Sequence, residues 1–301
     1  MTPYLLGIDL GGTKIEGALL NPDNLQTPLC RTRLPTEGSK GYQHILSQVV
    51  SLCRSIEQQT GLPLPPKIGM GTPGITNPKT GKLKNSNTQC LNGEELQKDL
   101  EQLLGVQFVM ANDANCFALA EATYGDASQY ETVFGVILGT GVGGGLVANG
   151  KVLNGCHGIA GEWGQVVLDP NGPASAYGTL GTIEAYIAGP ALERYYEGIS
   201  GVKRNLREVA ELAAEGSDVH AVATLERLTD TFAQAISIII HVYDPHAIVL
   251  GGGVGNIDAL YTEATRQKIA ARVFGGEFNA ALIKPKLGDS AGVFGAAMLT
   301  K

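Results

Sequence analysis

Asp113 stands in "ANDANCFALAEA", directly after an apolar run and flanked by Asn112 and Asn115. A carboxylate at the end of a strand can take the proton of a hydroxyl as that hydroxyl attacks phosphorus. The same position also suits the N-cap of a following helix, where Asp and Asn are preferred. Two glycine-rich stretches offer the other half of such a reaction. In "GIDLGGTKIEGALL", two apolar runs are joined through Gly11, Gly12, Thr13 and Lys14. Glycine lets backbone N–H groups approach an anion closely, and Thr13 and Lys14 add a hydroxyl and a charge. An ordinary hairpin would read the same way. A Walker A loop needs GxxxxGK[ST] opening a helix; here Gly7 to Lys14 reads GxxxxGTK and a strand follows. "GTGVGGG" matches GxGxxG at Gly139, Gly141 and Gly144, with Glu162 placed where an acidic ribose partner would stand. The strand-like "GLVANGKVL" after it excludes the dinucleotide motif, which must open a helix. Two Gly/Thr hairpins suit a polyphosphate held by one loop from each side. Glu162 in "GIAGEWGQ" and Glu184 in "GTLGTIEAY" set carboxylates on glycine loops. They suit sugar hydroxyls, or are solvated loop acids.

These residues need strands that end at loops. "YLLGID", "IEGALL", "KIGMGTPGI" and "VQFVMAND" read as strands, and "GYQHILSQVVSLCRSIEQQ", "GEELQKDLEQLLG" and "ANCFALAEATYG" as helices. A second round follows. "TVFGVILGTGVGGGLVANGKVL" is again strand, glycine turn, strand. A long helix, "HAVATLERLTDTFAQAISIIIHVYDP", leads to the strand "AIVLGGGV" and a last helix, "SAGVFGAAMLT". The repeat predicts two duplicated α/β domains. They are expected at 1–112, joined by a C-terminal helix at about 289–301, and at 113–288.

Composition narrows the function classes. The 301 residues are 44% hydrophobic and 17% charged, as in a globular protein. The net charge of −7 argues against nucleic-acid or anionic-membrane partners. Five cysteines without a CxxC spacing argue against a disulfide framework, and no secretory leader is legible, so a cytoplasmic setting is expected.

With these motifs in order, the chain resembles the ROK sugar kinases of the actin-like, sugar-kinase/Hsp70 ATPase superfamily (a ribonuclease H-like fold). "GIDLGGTK" and "LGTGVGGG" resemble the two phosphate loops, "GMGTPG" the GxPG turn and "NDAN" the catalytic segment. "GIAGEWG" resembles the start of the family signature, and "IVLGGGV" the adenosine-side strand and turn. "RLPT", "KNSNTQCLNG", "FGGE" and "GDSAGVFGAAML" resemble the fructokinase/mannokinase branch most, with the N-acetylglucosamine kinase branch next. The resemblance implies a kinase using ATP and Mg²⁺ on the 6-hydroxyl of a hexose, with a cleft between two domains. It implies Asp113 as general base, and Gly71, Asn87, Asn112, Glu162, Gln165 and Glu184 along the sugar. Asp9, Gly11, Gly12, Thr13, Lys14, Thr140 and Gly141 would serve the phosphates, and Gly251, Gly252 and Gly253 the nucleotide. Fructose or mannose is the expected substrate and a homodimer is compatible with the family. A non-catalytic sugar regulator is the rival reading, disfavoured by the retained Asp113. One departure stands out. The family's structural zinc takes one His and three Cys, and those positions are Gln165, Ser175, Tyr177 and Thr182 here. These are poor zinc ligands, so no structural zinc is expected.

Overall fold

Leu6, Ile8 and Leu10 alternate with small or polar residues and are all buried, so the first apolar run pleats into a strand, β1 (Leu5–Leu10). The computed structural model describes residues 4–24, 27–175 and 178–301. The chain then runs β2 (Lys14–Leu20), β3 (Cys30–Pro35), α1 (Tyr42–Thr60), β4 (Lys67–Thr72), β5 (Ile75–Thr76), β6 (Leu83–Lys84), α2 (Leu96–Leu104), β7 (Gln107–Asn112) and α3 (Asp113–Tyr124). It continues through β8 (Thr132–Leu138), β9 (Val142–Ala148), β10 (Lys151–Val152), α4 (Ile183–Ile187), α5 (Gly189–Ser200), α6 (Leu206–Glu215) and α7 (Val219–Tyr243). β11 (Ala247–Gly251), α8 (Gly252–Gly255), α9 (Glu263–Ala270), β12 (Ala281–Ile283) and α10 (Ala291–Met298) complete it. No helix among the described residues is long and apolar enough to cross a membrane.

The chain divides into two compact units, one of residues 1–128, 145–160 and 286–301, the other of 129–144 and 161–285. In the first, the sheet order is β3-β2-β1-β4-β7, with β1, β4 and β7 parallel and β2 and β3 antiparallel to their neighbours. α1 covers one face through Ile45, Leu46, Val49, Leu52, Cys53 and Ile56, which recur at helical spacing. α10 covers the other and packs directly on the sheet backbone. A Cβ on Gly69 would overlap the Ala296 carbonyl, and one on Gly295 would overlap that of Cys116 in α3. Glycine is required at both for this approach. α3 thereby packs with this sheet, beside the C-terminal ends of β1, β4 and β7. The first unit takes in residues 113–128, whereas the sequence repeat divides the chain at 112/113.

The second unit repeats the plan. β8 turns back into β9 as β1 does into β2, and β11 and β12 follow in parallel as β4 and β7 do. Its core gathers Phe134, Val136, Ile248, Leu250, Phe232 and Ile236 around the 25-residue α7.

Candidate functional site

In the first unit, Asp9 lies near the end of β1, in register with Glu16 on one side and Gly71 on the other. The β1–β2 turn closes by a bond from the Gly11 N–H to the Lys14 carbonyl, 2.9 Å. Gly12 and Thr13 are exposed at its tip. Thr36, fully buried, braces this turn. Its hydroxyl donates to the Gly11 carbonyl at 2.6 Å and its N–H to the Thr13 carbonyl at 2.9 Å. Sequence reasoning gave Thr36 no role, although it sits in the "RLPT" segment. Lys14 is partly engaged, 3.4 Å from the buried Glu16, which Arg31 and Arg33 also bind. Burial alone would raise the Glu16 carboxyl; the arginine hydrogen bonds outweigh it and hold it low.

The rival roles for Asp113 separate cleanly. The N-cap of α3 is Asn112, whose side-chain oxygen accepts the Asn115 N–H at 2.8 Å. Asp113 is the next residue, and its Oδ1 accepts from the Ala114 N–H at 2.8 Å. The carboxylate is accessible, yet its desolvation raises its pKa, opposed by that backbone bond. Asp9 is pushed up to about 6, by burial first and by the charge of Asp113 second. The two carboxylates therefore act on each other. Gly71 is drawn into the same cluster: a Cβ there would lie 3.2 Å from Cys116 Sγ and 3.6 Å from Asp9 Oδ1. Asn87 is placed with Gly12. Both line a concavity of about 460 Å³ with Gly38, Ser39, Thr88, Gln89 and Cys90. The Asn92 side chain fixes that segment, accepting the Ser86 N–H at 2.8 Å and donating to the Ser86 carbonyl at 3.0 Å.

In the second unit the β8–β9 turn closes by Gly139 N–H to Gly141 carbonyl, 2.9 Å. Thr140 and Gly139 line a groove of about 1450 Å³, with Gly253, Val254, Asn205 and Leu206 also on its walls. Of the three glycines expected near a nucleotide, Gly253 alone is in the lining. Gly251 ends β11 opposite Ile137, and Gly252, at φ +84°, turns so tightly that a Cβ would overlap the Leu138 carbonyl. Glu162 and Gln165 bound a short helical turn, with the Gln165 N–H donating to the Glu162 carbonyl at 3.2 Å. Trp163 fixes the turn against β9. It is buried edge-on to Phe134 and Phe232, and its Nε1 donates to the Gly143 carbonyl at 2.9 Å. Glu184 lies in the first turn of α4, and its Oε2 accepts the Val142 N–H at 3.0 Å. Glu162, Gln165 and Glu184 are thus each anchored to the start of β9 or to the turn packed on it.

The four positions of the family zinc do not form a metal site by chemistry. Thr182 is buried and caps α4, accepting the Ala185 N–H at 3.3 Å. Ser175 and Gln165 are neutral oxygen and amide groups, and Tyr177 lies outside the described residues. Among the described residues no cluster of three or more His, Cys, Asp or Glu could hold a metal. The segment is held instead by main-chain bonds. Leu168 N–H donates to Gly181, Gly181 N–H to Pro173, Ser175 N–H to Thr179 and Ile183 N–H to Val166, at 2.8 to 3.0 Å. Each such bond contributes about 1 kcal/mol to holding the segment. The purified protein is expected to hold no stoichiometric zinc and to keep its activity in EDTA with excess Mg²⁺. Chelator inactivation reversed only by zinc would overturn this.

A ROK family profile matches residues 5–301. An N-acetyl-D-glucosamine kinase of Haemophilus influenzae (strain 86-028NP) is 36% identical over 304 residues, covering 97% of this chain and 98% of that protein. The solved ROK hexokinase of Thermus thermophilus matches with a TM-score of 0.87 and 30% identity, over 98% of this chain and 97% of the other. A ROK family glucokinase from Streptomyces griseus, solved in complex with glucose and AMPPNP, matches at 0.76 with 26% identity over 98% of each chain.

Proposed function

The chain belongs to the ROK family and has the actin-like α/β fold of its solved members; from that premise we propose that it is a sugar kinase. It transfers the terminal phosphoryl group of ATP to the 6-hydroxyl of a free hexose, with N-acetyl-D-glucosamine as the first substrate. The relative described above supports this sugar. Fructose and mannose, suggested by the branch motifs, draw no support from it. The AMPPNP held by the related glucokinase supports ATP as donor. The free cysteines suit a reducing, cytoplasmic setting.

One observation carries the catalytic reading. Asn112 does the capping of α3, which leaves the desolvated Asp113 carboxylate available to take the hydroxyl proton. Loss of that proton makes the sugar oxygen nucleophilic towards the terminal phosphorus, and ADP leaves. Asn112, Glu162, Gln165 and Glu184, with Asn87 and the Gly71 strand end, orient the sugar. Gly11, Gly12, Thr13 and Lys14 offer backbone N–H, hydroxyl and charge to phosphates, and Thr140 and Gly141 offer a hydroxyl and backbone N–H groups. The groove beyond Thr140 takes the nucleoside, with Gly253 on its wall. Mg²⁺, when bound with ATP, supplies charge neutralisation. Asp9, a hard oxygen donor with a raised pKa, is the residue here that suits it.

The test is a coupled ADP-release assay over N-acetylglucosamine, glucose, mannose and fructose. N-acetylglucosamine is expected to give the highest kcat/KM. A tenfold advantage for fructose or mannose would restore the branch reading. No turnover with any sugar, ATP and Mg²⁺ would favour a sugar-binding regulator.

A further inference from the structure

Glu184 is assigned to the sugar by family resemblance, but its carboxylate also grips the second glycine turn. Val142 is the first residue after that turn, and its N–H donates to Glu184 Oε2 at 3.0 Å. A Cβ on Gly141 would lie 2.9 Å from the same oxygen, so the carboxylate rests against the turn itself. The other side of the turn is held too: the Gly139 carbonyl accepts the Gly189 N–H at 2.8 Å. Glu184 lies in the first turn of the five-residue α4, and Gly189 lies just past its end. α4 therefore spans both grips. α4 is itself fixed, by the Thr182 cap and by Tyr186, which stacks under the Arg227 guanidinium at 4.5 Å while Tyr195 stacks on it at 4.3 Å. Between the grips stands Thr140, on the wall of the groove.

We propose that Glu184 is the positioning residue of the 139–142 turn, holding it in its nucleotide-competent shape through the Val142 N–H. The inference rests on the kinase reading above and deepens it. An N–H bond to a carboxylate is stronger than one to a neutral acceptor, so one side chain fixes the turn and offers its remaining oxygen lone pairs to a sugar hydroxyl. A sugar that orders Glu184 then also orders the turn, and nucleotide and sugar affinities become reciprocally coupled.

The experiment uses the full-length protein and AMPPNP with Mg²⁺ in the absence of sugar, with affinity measured by calorimetry. Glu184→Ala and Glu184→Asp are expected to weaken AMPPNP binding about tenfold, because neither reaches the Val142 N–H. Glu184→Gln keeps an acceptor at the same reach. It is expected to bind AMPPNP within about threefold of wild type while its KM for sugar rises about tenfold or more. Hydrogen exchange at the Val142 amide gives a ligand-free readout: faster in the Ala and Asp variants, protected in the Gln variant. If the Ala variant does not fold, the Asp variant carries the comparison. Wild-type AMPPNP affinity in the Ala or Asp variant would overturn the proposal, as would equal loss in the Gln variant. Failure of wild type to bind AMPPNP would refute the kinase reading instead, and the exchange at Val142 would still decide the bracing.

Discussion

Asp113→Asn is expected to lower kcat by roughly 10²–10⁴, the usual cost of removing a general base, while sugar affinity stays within about threefold. The amide keeps the shape of the carboxylate and can still accept the Ala114 N–H, but it cannot take up the hydroxyl proton. The helix should not suffer, because its cap is Asn112. A second readout separates loss of the base from local damage. The charge of Asp113 helps to raise the Asp9 carboxyl, which stands at about 6. Removing that charge should move the Asp9 titration to lower pH, as followed by carboxyl NMR. A kcat within threefold of wild type would remove Asp113 from the role. An Asp9 titration that does not move would show that the two carboxylates are not coupled.

Asp9→Asn is expected to act in opposite directions on stability and activity. Folding lifts the Asp9 carboxyl from 3.8 to about 6, so the folded protein binds this proton more tightly than the unfolded chain. The stability associated with that proton is present below about pH 4 and is lost as pH rises to about 6. At 1.36 kcal/mol for each tenfold change in proton affinity, about 3 kcal/mol is the upper limit of the loss. Asparagine never ionises and escapes it. The variant should therefore melt several degrees above wild type at pH 7.5 and much closer to it at pH 4.5. Its turnover should fall on the order of 100-fold, because the neutral amide is a weak partner for a cation or its water. A melting difference independent of pH, or a less stable variant at pH 7.5, would refute the desolvated-carboxylate account.

The features legible in the sequence are those set by neighbours along the chain. Alternating apolar residues around Gly11–Gly12 and around Gly139–Gly141 dictate strand, turn and strand, because side chains on a strand point to opposite faces and glycine alone tolerates the closest backbone approaches. That local logic located both turns, the duplication, and Asp113 just past the end of β7. It did not reveal β3, whose outward Arg31 and Arg33 make sense only once β2 presents the buried Glu16 beside them. It left α4, α5, α6 and α9 undrawn: the five-residue α4 takes its stability from packing on α7, whereas α6 carries a local signal that went unused, the capping box of Asn205 and Glu208 and the Gly216 stop. It treated Lys14 as a phosphate-binding charge without seeing Glu16 draw on that charge. It left Asp113 poised between base and cap, and only the folded strand end gave the cap to Asn112. Thr36 and Glu184, the two side chains that brace the glycine turns, lie 25 residues or more from the atoms they hold. Such bonds are fixed by which strands and helices become neighbours, a property of tertiary packing that no spacing along the chain encodes.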